Sequence, residues 1–81
     1  MIYIATFYSH FGAIRYKKLC LGKGIPAEML PVPRDLSSSC GSCVRYDSTL
    51  PCPASQYPEE VEQVVAVTDQ GYQLIYRAEN G

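Results

Sequence analysis

What the 81-residue sequence lacks narrows its class first. Neither sign of charge prevails: seven Lys and Arg stand interspersed with eight Asp and Glu, so there is no electrostatic surface for nucleic acid or an anionic membrane. No apolar run approaches the about 20 residues that a membrane span needs. The opening MIYIATFY has no basic n-region and no small-residue cleavage site. It reads as a first strand rather than a signal peptide, and the expected address is cytoplasmic. There is no P-loop, no GxGxxG, no Ser-His-Asp set with an elbow motif, and no repeat, heptad or low-complexity tract. Asp35 and Asp47 lack the acidic neighbours of a hard-metal cage.

What remains is a chain for one small domain, residues 1–81, with a thin core. It carries four cysteines. Without a secretory signal they read as free thiols, metal ligands or sulfur chemistry before they read as a disulfide framework. Two of them fall in PVPRDLSSSCGSCVRY, Pro31–Tyr46, together with two prolines, Arg34, a serine run and Gly41. Such a stretch builds little core and exposes sulfurs and backbone amides, so function is expected in the loop 31–45.

The flanking segments have regular patterns. Ile2 to Tyr8 carries apolar bulk on both faces and reads as a central strand. Ser9 offers a cap, and a helix is predicted from His10 to about Lys23, ended by Gly24 and Pro26. Ile25 to Val32 reads as an edge strand limited by its prolines, and Cys43 to Tyr46 as a short third strand. Asp47 to Tyr57 reads as a loop. Pro58, with Glu59, Glu60 and Glu62 after it, suggests the first turn of a second helix. Val61, Val64, Val65 and Thr68 would be the buried face of that helix, at helical spacing, and Asp69-Gln70-Gly71 would end it. Tyr72 to Arg77 alternates as a last strand. The order predicts an α+β, ferredoxin-like β-α-β-β-α-β sandwich, a four-stranded antiparallel sheet with two helices on one face.

Cys40 is the central candidate. A tight turn at Gly41 projects its thiol, and nearby amides, with Arg34 or Arg45 folded back, would favour a reactive thiolate. The competing reading is a small buried hydrophobe at a strand start. Cys43 completes a CxxC, a spacing that serves a reversible disulfide, a resolving thiol or half a metal site. An extended segment follows it, so activation by a helix N-terminus is not expected. Cys52 as a third ligand, with Cys20 or His10 as a fourth, would make a zinc site. With only one close pair in the chain, no metal is expected. His10, at the helix start, has the intrinsic range of a general acid or base. Ser38 and Ser39 can turn the chain or donate to a bound anion. The seven tyrosines fit sheet packing or a homodimer face better than RNA stacking, because no basic-aromatic strand accompanies them.

Through the strand YIATF, the helix segment Ala13-Ile14-Arg15, the turn Gly24-Ile25-Pro26 and above all PVPRDLSSSCG at Pro31 to Gly41, the chain resembles the selenium/sulfur carrier protein-like family, a bacterial family once described only as a domain of unknown function. The resemblance implies a sulfur or selenium carrier that holds the chalcogen on Cys40, as a persulfide or selenosulfide, and passes it from a donor protein to an acceptor protein. Arg34, Ser38, Ser39, Gly41 and Arg45 would position the cargo, and no cofactor would be needed. The chain departs from the family in Ser42-Cys43, where apolar residues usually follow the motif, and in Lys17, where a glutamate is common. Two other classes compete: a non-catalytic module that dimerises through its sheet, and a thiol-disulfide switch using Cys40 and Cys43.

Overall fold

The computed structural model describes residues 1–52 and 58–78. Five strands and one helix follow one another: β1 (Ile2–Phe7), α1 (His10–Gly22), β2 (Ala27–Pro31), β3 (Ser42–Asp47), β4 (Val61–Thr68) and β5 (Gly71–Arg77). The strands form one antiparallel sheet in the order β2-β3-β1-β4-β5, with β1 and β2 separated by β3. The first four predicted elements lie where their residues placed them. The last part of the predicted loop, from residue 53 to residue 57, lies outside the described residues. No helix among the described residues is long and apolar enough to cross a membrane.

The ferredoxin-like arrangement is overturned. Val61–Thr68 is not a second helix but the fourth strand, so among the described residues the sheet has five strands and one helix covers it. Two physical reasons account for the difference. The segment VEQVVAVT is dense in β-branched side chains, which lose little on a pleated surface and are restricted in a helix. The spacing that imitates a helical turn comes from a bulge. Between Thr6 and Phe7 of β1 the register against β4 slips from Gln63 to Val61, leaving Glu62 as the extra residue. Val61 and Val64, three apart, therefore share one face of the sheet. Val65, which a helix would place beside them, packs on the other face.

The core has two layers. On the helix side, Tyr3, Ala5 and Phe7 of β1, Val44 and Tyr46 of β3, and Val61, Val64 and Ala66 of β4 pack against Ala13, Tyr16 and Cys20 of α1. The rings of Tyr3 and Tyr46 stack at 5.5 Å between centroids, and Tyr16 lies 5.3 Å from both Phe7 and Tyr46. The buried Tyr16 hydroxyl donates to that of Tyr46 at 3.0 Å, and Tyr46 donates a short bond to the Pro51 carbonyl. Tyrosine thus serves as core, its polar end satisfied internally. On the face without a helix, Ile4, Cys43 and Val65 are covered by Leu30, Val32 and Leu36, the last two from the loop between β2 and β3. The loop replaces the missing helix over part of that face. Farther along the sheet Val67, Tyr72, Leu74 and Ile75 stay exposed.

Candidate functional site

The end of the sheet where β1 finishes and β4 begins gathers the polar residues of the long loop. The β2–β3 ladder continues one step past Pro31, with the Val32 N–H donating to the Gly41 carbonyl at 3.1 Å, so the intervening residues are the loop of a wide hairpin. Leu36 anchors it on the helix-free face. Gln63 Nε2 then donates to the Ser37 carbonyl at 3.0 Å, and Ser38 Oγ to the Phe7 carbonyl at 3.4 Å. The chain passes around the sheet end and brings Cys40 against the helix-side core. Gly41, at φ +77°, makes the turn into β3, a backbone angle that a side chain would strain.

Cys40 is half-buried. Its N–H donates to Ser38 Oγ at 3.4 Å and its sulfhydryl points at the Ser42 carbonyl at 3.6 Å. Ser42 Oγ lies 3.2 Å from His10 Nδ1 at the start of α1, whose N-cap is Ser9. One residue, Ser42, thus links the thiol and the imidazole. Two predicted site residues distant in sequence, His10 and Cys40, meet around it.

Ser39 is held from β4. Its N–H donates to Glu62 Oε1 at 3.1 Å and its hydroxyl to Glu62 Oε2 at 2.8 Å, while Thr6 Oγ1 donates to the same carboxylate at 3.3 Å. Glu62 is the bulged residue, and a bulge re-aims a side chain toward an adjacent site. Neither Glu62, read as part of an acidic first helical turn, nor Ser42, noted only as a departure from the family motif, was among the candidate site residues. The only available signal was the break in strand alternation at Val61-Glu62-Gln63-Val64, which is indistinguishable from helical spacing without a partner strand.

The other candidates lie elsewhere. Arg45 points to the helix-free face and pairs with Glu28 at 3.5 Å, and Arg34 is exposed on the outer part of the loop. Neither hydrogen-bonds to the cysteine turn among the described residues. Cys43 is 0% exposed in the second core layer, its sulfhydryl 3.7 Å from the Pro31 carbonyl. Burial pushes its thiol pKa up; a backbone hydrogen bond from Leu30 opposes the rise, and the charge of Cys40 adds to it. The two thiols of the CxxC therefore pack on opposite faces of the sheet, a consequence of strand alternation after Gly41. Cys20, buried on α1, is pushed up to about 11, first by burial and second by the charge of Cys52, which is itself half-buried. All four cysteines are free. Among the described residues no group of three or more His, Cys, Asp or Glu is placed to hold a metal ion.

The thiol turn can be compared with known proteins. The family model described as "Putative Se/S carrier protein-like" matches residues 2–77, nearly the whole chain. Neither the curated proteins nor the solved structures contain a match.

Proposed function

Because the chain belongs to this selenium/sulfur carrier-like family, we propose that it carries the chalcogen on Cys40 and moves it between two partner proteins in the cytoplasm. In the loading step the Cys40 thiolate attacks the outer sulfur of a donor persulfide. The bond between the donor's two sulfurs breaks, the donor leaves as a thiolate, and Cys40 becomes the persulfide. Delivery is the reverse: an acceptor nucleophile takes the outer sulfur and Cys40 is released as a thiolate. With selenium the intermediate is a selenosulfide. No net oxidation occurs and no cofactor enters. His10 stands at the same turn, its Nδ1 against Ser42 Oγ while the Cys40 thiol faces the Ser42 carbonyl, and would serve as an acid or base for thiols that the partner proteins bring.

The observation that carries this reading is the setting of Cys40. Of the four thiols, Cys20 and Cys43 are sealed in the core, and Cys52, half-buried like Cys40, follows Pro51 in the loop after β3. Cys40 alone lies on a glycine turn whose Ser42 meets His10 at an open end of the sheet. Intact-mass measurement after incubation with a small persulfide tests it. Wild type gains one sulfur atom and Cys40→Ser gains none; a gain that persists unchanged in Cys40→Ser removes the assignment. The same measurement on protein purified without reductant tells sulfur from selenium by mass.

One observation favours a second reading, a non-catalytic module that dimerises through its sheet. Leu74 is 52% exposed and Ile75 39% exposed on the edge strand that no helix covers. That reading requires Cys40→Ser to keep partner binding and cellular effect. A redox switch between Cys40 and Cys43 has less support, since Cys43 would have to leave the second core layer to reach Cys40.

A further inference from the structure

We propose that Glu62 is the positioning residue of the Cys40 turn, a carboxylate latch delivered by the β4 bulge that holds Ser39 by both its backbone N–H and its hydroxyl. The inference deepens the carrier reading and rests on it for its biological meaning, but its geometry stands on other residues.

Ser39 and Glu62 are bound by two hydrogen bonds to one anion, 3.1 and 2.8 Å long, the stronger class in which one partner is charged. A third donor, Thr6 Oγ1 on the buried central strand, fixes the carboxylate from the protein side. The ties on either side of the latch are weaker: Ser38 Oγ reaches the Phe7 carbonyl and the Cys40 N–H reaches Ser38 Oγ, both at 3.4 Å. Ser39 itself is exposed, so burial does not hold it. The Glu62 carboxylate is therefore the strongest tether on the residue that precedes Cys40. It forms no ion pair among the described residues; Arg77 lines the same shallow groove, with Tyr8, without reaching ion-pair distance. A carboxylate committed to serine donors rather than to a cation is what a loop clamp needs, because a cation would compete for the same oxygens. Removing it frees the turn while leaving the sheet, the helix and the other thiols in place.

The test uses the full chain in a Cys52→Ser background. Three readings are taken: Ser39 amide hydrogen exchange, the rate of each remaining thiol with a neutral aromatic disulfide, and the half-life of the Cys40 persulfide toward glutathione. In the exchange reaction the Cys40 thiolate attacks one sulfur of the reagent, forms a mixed disulfide and expels the other half as a thiolate. In Glu62→Ala, Ser39 exchange and the Cys40 rate are expected to rise about tenfold, and the persulfide to turn over faster by a similar factor, as the turn opens. Glu62→Gln, which keeps one acceptor oxygen and the shape of the side chain, is expected to fall between Glu62→Ala and the parent. Cys20 and Cys43 should stay as slow as in the parent, and Glu60→Gln, a change in the neighbouring carboxylate, should move nothing. Ser39 exchange and Cys40 rates unchanged in both Glu62 variants overturn the inference, as does a rise shared by Cys20 and Cys43, which would mean general loosening. If the parent takes up no persulfide, the carrier reading fails and the two other readings still decide the latch.

Discussion

Replacing Gly12 with Ala ought to weaken the fold even though alanine is the better helix former. Gly12 is the third residue of α1, in its first turn, and faces Glu60 just ahead of β4. A Cβ there would fall well inside contact with Glu60 Cβ, 3.1 Å from Glu60 Cγ and 3.4 Å from the Phe7 ring. The obstructing atom is not the far end of a flexible side chain. Its backbone is pinned, because the Tyr8 N–H donates to the Glu60 carbonyl at 2.9 Å. The propensity gain is about 1 kcal/mol at a helix interior and no more than that in the first turn. Overpacking costs about 1–3 kcal/mol, and a rigid obstacle puts this site near the top of that range. The expected net loss is about 2 kcal/mol, which in urea lowers the unfolding midpoint by roughly 1–2 M for a small domain at unchanged slope. Gly22→Ala, with nothing within 4 Å, serves as the control and should be neutral or slightly stabilising. Adding Glu60→Gly to Gly12→Ala removes the collision and should recover about 1 kcal/mol or more of coupling in a double-mutant cycle. A Gly12→Ala protein as stable as wild type would refute the argument. It would mean that α1 is free to move off the β4 entry, and with it the meeting of His10 with the Cys40 turn.

Other expectations follow from the thiols and tyrosines. The Cys20 thiol, raised from 9.0 to about 11 by burial, is raised above its unfolded value, so the stability linked to it is full below about pH 9 and lost as pH climbs through about 11. Two pH units correspond to about 3 kcal/mol, and the slope of stability against pH in that window should flatten in Cys20→Ala, measured by urea unfolding; equal slopes would contradict the placement of Cys20. Brief alkylation of the native protein, read by peptide mass, should label Cys40 and spare Cys43, whose labelling should wait for unfolding. Tyr16→Phe removes the 3.0 Å bond to the Tyr46 hydroxyl and should cost about 1 kcal/mol in thermal or urea unfolding with little change in the rate of Cys40 alkylation.

What the sequence by itself determined was whatever depends on neighbours along the chain. The β-branched and aromatic run at Ile2–Phe7, the Ser9 cap before His10, the stop at Gly24 and Pro26, and the turn at Gly41 are local signals, and the strand, helix and loop they specify are present. The Ser/Gly loop around Cys40 was legible for the same reason, since its composition forms no regular element, while the packing of its Val32, Leu36 and Cys40 onto the two core layers was not. What only the tertiary structure decided depends on pairing between distant strands. Val61 to Thr68 carries helical spacing and strand-forming side chains at once, and pairing with β1 settled the conflict through a bulge at Glu62. That one extra residue turned a predicted second helix into a central strand, left the outer part of the sheet without a helix, and aimed a carboxylate at Ser39. The separation of Cys40 from Cys43 and the meeting of His10 with Ser42 have the same origin: which face a strand residue occupies, and which loop it meets, is fixed by register against a partner that the linear sequence does not name.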